Sequence, residues 1–415
     1  CYRSENSTTE TVVNNADGTS LEITKRCGFA ETNPLQNSVE SDNQTQKAFR
    51  LLLQATFGPQ KTDLDRIVQI GETAWINEQL ELSSAYDIAG DNLTTNLEHY
   101  KTIALMAEPS TYSDNASFNN NYHGRTSDYQ TAAWFEKALH APDQLRYRVA
   151  FALSELLVVS GAKQRTRFRG DSLAYYDDIL AKNAFGNFRD LLDEVAKSPA
   201  MGIFLSHQGN KKYMSQSKTH PDENFSREIM QLFSLGLWEM NDNSSAVETG
   251  GELVPAYSQE DVEQLARVMT GYDLVGNSRY GRTNRGAGEE WATPMEFTGS
   301  WHDFESKSFL GKSINAESEN VSGPSDFKNA LDIIFNHQNV GPHVAKHLIM
   351  RMVTSNPSGG YIERVSHVFN DNGSSVRGDL KSVVKAVLTD NEARGNEYKT
   401  NKNFGKVKET LLAWT

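Results

Sequence analysis

The fold of this chain is indicated most clearly by the stretch Pro221-Asp222-Glu223-Asn224-Phe225-Ser226-Arg227-Glu228-Ile229-Met230-Gln231-Leu232-Phe233-Ser234-Leu235-Gly236. Its apolar residues Ile229, Leu232 and Phe233 recur at i, i+3 and i+4, which predicts a helix with one buried face. Pro221 and Asp222 are typical of a helix start, and Gly236 is typical of a helix end.

The other face of this predicted helix is polar. It carries Glu223, Arg227 and Gln231 four residues apart, with Glu228 beside them. One interpretation is an ion-paired brace that fixes the helix against its neighbours. The other is the wall of a pocket, where a carboxylate beside an arginine stays ionised and can accept a proton or bind a cation. His220, just before the helix, would extend such a site.

Apolar side chains recur with helical spacing through most of residues 46–415, and alternating runs typical of strands are scarce there. We therefore expect a mainly α fold, with residues 46–415 forming a single large multi-helix domain. Ser258 and Asp261 predict a capping box at the start of one helix. The long polar segment 274–324 is rich in aromatic residues, which predicts an ordered loop packed on the helices.

Residues 1–45 form a polar leader or tether that is too small to build a core. Two short possible strands, Thr11-Val12-Val13 and Leu21-Glu22-Ile23, flank an Asp-Gly turn signal, which is compatible with a short β-hairpin. At the other end, an apparent helix over 406–414 reaches the last residue. This pattern leads us to expect that the natural protein continues further.

The net charge of −13 argues against nucleic acid as a partner, because a polyanion would be repelled. No apolar run approaches the ~20 residues that a membrane span needs. The two cysteines, Cys1 and Cys27, both lie in the leader. They are compatible with a disulfide bond, or with a lipid anchor on Cys1 as in mature bacterial lipoproteins. Both alternatives place the protein outside the cytoplasm, in the periplasm, on the outer-membrane surface or in the medium.

A second candidate site is His302-Asp303 followed by Lys307, because a histidine in an aromatic loop can titrate near neutral pH. A zinc or iron site needs three or four ligands, so His220, Glu223 or His343 would have to complete one. The sequence contains no His-Glu-x-x-His, Cys-x-x-Cys or EF-hand motif. It therefore leaves the metal and the cofactor, if there is one, undefined.

The stretch 221–236 resembles the signature of a bacterial family known as domain of unknown function 1800 (DUF1800), which reads roughly Asn-Glu-Asn-Tyr-Ala-Arg-Glu-Leu-Met-Glu-Leu-Phe-Thr-Leu-Gly. Asp222, Phe225, Ser226 and Gln231 depart from that pattern. Similar segments follow the family's order at 51–59, 148–154, 184–192, 257–262 and 270–272, then at His302-Asp303, Lys307 and Leu310-Gly311. The resemblance covers about residue 47 to the last residue.

The resemblance implies no established activity. It implies that His302, Asp303, Lys307 and Gly311 act together, since the family carries a similar run. Members of the family are often encoded beside a second exported family whose fold is similar to that of sulfatases and alkaline phosphatases. This association implies a co-exported partner protein or an extracellular polymer as a binding partner.

Two functional hypotheses follow. The first is an enzyme or ligand-binding protein with a polar pocket between the Glu223 helix and the His302 loop, with Glu223, Arg227, Glu228, His302, Asp303 and Lys307 as candidate residues. The alternative is a non-catalytic cell-surface or assembly component that binds a partner protein or an extracellular polymer. The first hypothesis predicts that Glu223, Arg227 and His302 lie in one connected polar cluster, because buried charges need partners.

Overall fold

The structure is a computed structural model that describes residues 11–14, 20–23, 43–83, 95–112, 126–162, 166–276, 290–318, 325–396, 401–407, 409 and 412. The chain divides into two compact units, Cys1–Ser41 and Asp42–Thr415. In the first unit, strand β1 (Thr11–Asn14) pairs antiparallel with β2 (Ser20–Ile23), and Thr11 lies opposite Ile23. The Asp-Gly turn between them and both cysteines lie outside the described residues.

The second unit is built mainly from helices, which confirms the predicted mainly α fold. Its α-helices are α1 (Gln44–Ala55), α2 (Lys61–Ile70), α3 (Glu72–Glu81), α4 (Asn96–Ala107), α5 (Thr126–His140), α6 (Gln144–Ser154), α7 (Gly170–Asn183), α8 (Phe188–Lys197), α9 (Pro199–Phe204), α10 (Asn224–Gln231), α11 (Gln259–Val268), α12 (Ser325–Phe335), α13 (Val340–Met352), α14 (Gly359–Asn370), α15 (Leu380–Thr389) and α16 (Asn391–Arg394). Three small antiparallel pairs are added: β3 (Glu248–Thr249) with β4 (Glu252–Leu253), β5 (Tyr272–Asp273) with β6 (Glu296–Phe297), and β7 (Lys307–Phe309) with β8 (Lys312–Ile314).

Helix boundaries follow the predicted signals in part. The Ser258–Asp261 capping box opens α11 as predicted. The Glu223 helix begins as expected but ends at Gln231, well before Gly236. It ends early because the amides of Leu235 and Gly236 both bond back to the Met230 carbonyl, at 2.8 and 3.2 Å. Gly236 closes this turn with φ +78°, a conformation that favours glycine.

The predicted terminal helix does not start where expected, because Lys406 and Val407 lie outside any helix. Most of its remaining residues are among those not described. The aromatic loop after β5, in contrast, confirms its prediction in the part that the structure describes. Trp291, Phe304 and Phe309 are buried, and Trp291 and Phe309 belong to the main core.

Buried apolar side chains from nearly all of the described helices form this one core. A smaller cluster around Tyr100 and Tyr112 joins α4, α5 and α7. Helix α11 packs against α10, α12 and β7, and so brings the Glu223 helix and the His302 loop to the same part of the fold. Among the helices that the structure describes, none combines the length and the apolar character needed to cross a membrane.

Candidate functional site

The charged face of α10 forms a closed hydrogen-bonded triangle with the first residue of α11. The Arg227 guanidinium lies 3.1 Å from Glu223 Oε2 and donates a 2.9 Å hydrogen bond to Gln259 Oε1. Gln259 Nε2 in turn donates to Glu223 Oε2 at 2.9 Å and to Glu263 Oε1 at 3.1 Å. The triangle ties the start of α10 to the start of α11.

This triangle is open to solvent. The side chains of Arg227 and Glu223 are 38% and 35% exposed, so Arg227 is not the buried cation that a covered helix face would require. A half-exposed pair of this kind contributes at most about 1 kcal/mol to the free energy of unfolding. Glu228 stands apart from it: its Oε2 is buried and has no hydrogen-bond partner among the residues with described positions.

His302, in contrast, is fully buried. Its Nδ1 lies 2.8 Å from the Thr270 carbonyl oxygen, and its Nε2 lies 3.0 Å from Asp326 Oδ2. A carbonyl can only accept, and a carboxylate accepts when it is ionised, so both ring nitrogens are placed to donate. His302 has no hydrogen bond to Glu223 or Arg227, and the predicted connection among these three residues is therefore wrong.

Asp326 holds the His302 motif together from inside the protein. Lys307 Nζ lies 2.7 Å from the same Asp326 Oδ2, and it also bonds to the Asp303 carbonyl oxygen. Burial raises the pKa of Asp326, but the hydrogen bond and charge of His302, together with Lys307, outweigh it and hold the pKa below its ordinary value. Asp326 is therefore ionised at neutral pH and pairs with two donors of the loop.

Asp303, which lies between His302 and Lys307 in the sequence, faces outward. Arg267 binds its two carboxylate oxygens with 2.8 and 3.0 Å hydrogen bonds, and the Asp303 amide donates to Thr270 Oγ1 at 3.0 Å. Burial raises the pKa of Asp303, but the hydrogen bonds and charge of Arg267 outweigh it, so the pKa lies below its ordinary value. Asp303 is thus a fixed anion.

A pocket of about 330 Å³ opens between these two networks. Its lining includes Glu223 from the start of α10, Glu263 and Arg267 from α11, and Asp303 from the His302 loop. Tyr213 and His220 complete it, with ring centroids 4.8 Å apart. The structure therefore brings Glu223 and Asp303 to one pocket. It leaves Arg227 beside the pocket, and His302 and Lys307 buried behind it.

Several residues of this site were missed by the sequence argument. Glu263 and Arg267 follow Gln259 at four-residue steps on α11, which is the helical spacing that marks a shared face. That spacing was a usable signal, since α11 itself was predicted. No comparable sequence signal pointed to Asp326, because a single acidic residue in the first turn of a helix is common and its partners are far away in sequence.

The model of the family described as "Protein of unknown function (DUF1800)" matches residues 50–411. The chain belongs to the DUF1800 family. No curated protein and no solved structure shows significant similarity to it.

Two further histidines of this DUF1800 member form hydrogen bonds that stabilise the fold. His343 and His347 each direct Nε2 to a backbone carbonyl, of Leu232 at 2.8 Å and of Ala152 at 2.9 Å. Burial lowers the pKa of His347 to about 4, so this imidazole is neutral at physiological pH. Within the described residues, no group of three or more His, Cys, Asp or Glu side chains is arranged to hold a metal ion.

Proposed function

We propose that this DUF1800 member is a ligand-binding protein, and that the pocket between the start of α10 and the His302 loop takes a polyhydroxylated ligand that is neutral or positively charged. The observation that carries the proposal is the pocket itself, which joins Glu223 and Asp303 across α11. A flat surface at this position would instead have favoured an assembly role.

The charge of the pocket lining supports this class of ligand. Glu223, Glu263 and Asp303 contribute three carboxylates, and Arg267 contributes one guanidinium, which Asp303 already occupies. Carboxylate oxygens accept hydrogen bonds from hydroxyl and ammonium groups, and an anionic ligand would be repelled. The amide of Gln264, which also lines the pocket, can both donate and accept.

The ring pair at the pocket edge supports the same class. Tyr213 is 49% exposed and His220 is also exposed, and their rings lie at an interplanar angle of 46°. An exposed aromatic face offers an apolar surface to the C–H face of a sugar ring, and a cation placed over it is attracted by its electrons. The aromatic pair beside the carboxylates therefore suits a sugar ring that carries hydroxyl or amino groups.

Binding is favoured over catalysis by the state of the candidate catalytic groups. Asp303 is held by Arg267 through both oxygens, and His302 and Lys307 are buried around Asp326. None of the three can exchange a proton with a ligand in the pocket without breaking a contact on which the fold depends. Glu223, Glu263 and His220 line the pocket and are ionisable residues left for a proton transfer there.

We extend this proposal to the setting of the protein. The polar, two-cysteine leader fits a location outside the cytoplasm, held there by a Cys1 lipid anchor or stabilised by a disulfide bond. An extracellular polymer of hydroxylated or amino-bearing sugars would present the ligand groups that the pocket accepts. A co-exported partner protein of sulfatase or phosphatase type would act on the same polymer.

Calorimetric titration with three sugar tetramers tests the proposal. At mildly acidic pH, we expect the glucosamine tetramer to bind best, the N-acetylglucosamine tetramer to bind more weakly, and the galacturonic acid tetramer to bind least. Glu263→Gln should weaken the binding of the glucosamine tetramer by about tenfold, because a charged hydrogen-bond partner is lost. Glu260→Gln is the matched control, since Glu260 is exposed on the same helix and does not line the pocket.

The proposal is overturned if the anionic tetramer binds as well as the cationic one. It is also overturned if the control variant weakens binding as much as Glu263→Gln does. Binding of none of the three tetramers would remove the polyhydroxylated class altogether.

A further inference from the structure

A second pocket lies at the other end of the 221–236 stretch. The start of the stretch, with Pro221 and Glu223, lines the polar pocket described above. Its end, with Leu232 and Gly236, lines a separate pocket of about 460 Å³. Its other walls are the residues that follow α6, the segment 237–246 and one face of α13. The same stretch of chain thus separates two pockets of different chemistry.

The walls of this second pocket are largely apolar. They are formed by Leu156, Val158, Leu232, Leu237, Trp238 and Met350. Four of these side chains are unusually exposed for their type: Val158 and Trp238 at 40%, Leu232 at 50% and Leu237 at 52%. Exposed apolar side chains that are gathered in one concavity mark a binding site, whereas scattered ones do not.

The apolar walls are held in a fixed shape by α13 and the residue before it. Asn339 is fully buried and donates to the carbonyls of Leu235 and Trp238 at 2.9 and 2.8 Å, while its Oδ1 accepts from the Met240 amide at 3.0 Å. One turn later, His343 Nε2 donates to the Leu232 carbonyl. The concavity is therefore part of the folded structure and is formed without a ligand.

One side of the pocket is cationic. Lys346 and Arg351 line it together with one carboxylate, Glu155, which lies 3.1 Å from Arg351. Lys346 is exposed and has no ion-pair partner among the residues whose positions are described. Burial lowers the pKa of both His343 and His347, so neither adds charge at neutral pH, and the lining keeps an excess of positive charge.

Buried charge behind the pocket has the same sign. Arg148 is fully buried, its Nε and Nη1 lack hydrogen-bond partners within the described structure, and its remaining nitrogen bonds to the Arg351 carbonyl. Burial lowers the pKa of Arg148 to about 10, which still leaves the guanidinium charged at neutral pH. Lys406 lies close by, and Glu409, at 2.7 Å from Lys406 and 3.7 Å from Arg351, offsets part of this positive charge. In a chain of net charge −13, this is a locally positive region.

We infer that this pocket binds a small amphiphile that consists of an apolar chain ending in an anionic group, such as a medium-chain carboxylate. The chain would lie against Leu232, Leu237 and Trp238, and the anion would lie near Lys346 and Arg351. The volume falls within the usual range for small-molecule sites, and a few polar groups among apolar walls is the usual composition of such sites. This inference does not depend on the proposed sugar ligand, because the two pockets share no lining residue.

The test uses dodecanoate below its critical micelle concentration as the probe. Binding is followed by calorimetry, and by quenching of tryptophan fluorescence with 11-bromoundecanoate. We expect saturable binding, and quenching that Trp238→Phe abolishes while the calorimetric affinity is largely kept. Decanoate should bind roughly tenfold more weakly than dodecanoate, because two methylene groups fewer are buried.

Charge is tested separately from chain length. Dodecyltrimethylammonium, with the same chain and the opposite charge, should bind at least tenfold more weakly than dodecanoate. Lys346→Glu should remove that preference, while Lys328→Glu, an equal charge change at an exposed position on α12, should leave it intact. Leu237→Glu should weaken the binding of dodecanoate without changing the binding of the glucosamine tetramer. The inference is overturned if the cationic amphiphile binds equally well, if Lys346→Glu changes nothing, or if dodecanoate shows no saturable binding.

Discussion

Around His302, three ionisable side chains are buried in mutual contact. His302 and Lys307 approach the same Asp326 oxygen at 3.0 and 2.7 Å, and all three side chains are almost completely buried. A group of this kind is expensive to form and more expensive to break, because removing a member leaves buried polar atoms of its neighbours without a partner. The motif that looks most catalytic in the sequence therefore supports the fold.

At this residue, the prediction concerns stability. His302→Ala should lower the free energy of unfolding by about 3 kcal/mol, since it removes a buried hydrogen-bond partner of both Asp326 and the Thr270 carbonyl and leaves a cavity. Urea unfolding measures the change. His220→Ala is the matched control, because His220 is exposed, and its effect should stay within about 0.5 kcal/mol. An unchanged unfolding midpoint for His302→Ala would show that the side chain has no structural role.

Among the secondary structure elements, α10 and the segment that follows it determine where both pockets lie. The helix stops at Gln231, and the chain then crosses α13 in an irregular path that Asn339 and His343 hold through backbone hydrogen bonds. The glycine at 236 gave a correct signal for a turn. The sequence could not show that the helix stops earlier, since the path that follows the turn is held by Asn339 and His343, about a hundred positions away.

The prediction for this element is made at Asn339. Asn339→Ala should lower the free energy of unfolding by about 2–3 kcal/mol, because the substitution removes the hydrogen-bond partner of a buried backbone carbonyl of Leu235 and of partly buried backbone groups of Trp238 and Met240. It should also increase hydrogen exchange of the Met240 amide. Asn336→Ala, at an exposed position of the same connection, is the control. Equal effects of the two substitutions would contradict the role assigned to Asn339.

For the whole molecule, the helical class, the capping box of α11 and the packed aromatic loop could be predicted from the sequence, because each depends on local spacing or composition. The site could be predicted in part. Glu223 and Asp303, both candidates from the sequence, do share a pocket, but His302, which was expected to connect with Glu223, does not line it. Contacts with Thr270 and Asp326 decide that His302 points inward and the adjacent Asp303 does not. Both contact residues are distant in the sequence.

The pH dependence of stability also belongs to the whole molecule. Burial raises the pKa of Asp177 to about 8, and that of Asp178 to about 6, well above the roughly 3.9 of an unfolded aspartate. The folded state therefore binds more protons. The stability associated with Asp177 is fully present below about pH 4 and is lost as the pH rises through its folded value. Asp303 and Asp326, whose pKa values are lowered, act in the opposite direction and only at lower pH.

Asp177 should therefore contribute a fall in the free energy of unfolding of up to about 1.4 kcal/mol per pH unit between about pH 6 and pH 8. His343 and His347, whose pKa values are lowered by burial, contribute a rise with pH that fades above about pH 7. Asp177→Asn should remove the Asp177 contribution, since the amide does not ionise and can still accept the hydrogen bond from Gln130. Denaturant unfolding of both proteins at several pH values measures the difference, and an identical pH dependence of wild type and variant would contradict the assignment.

A ligand bound between α10 and the His302 loop would protect the backbone around it, which hydrogen–deuterium exchange with the glucosamine tetramer measures peptide by peptide. We expect slower exchange in peptides that cover residues 213–223 and 259–267, with no change at 232–240, where the second pocket lies. Protection confined to other parts of the chain, or no protection at saturating tetramer, would show that the tetramer does not bind in this pocket.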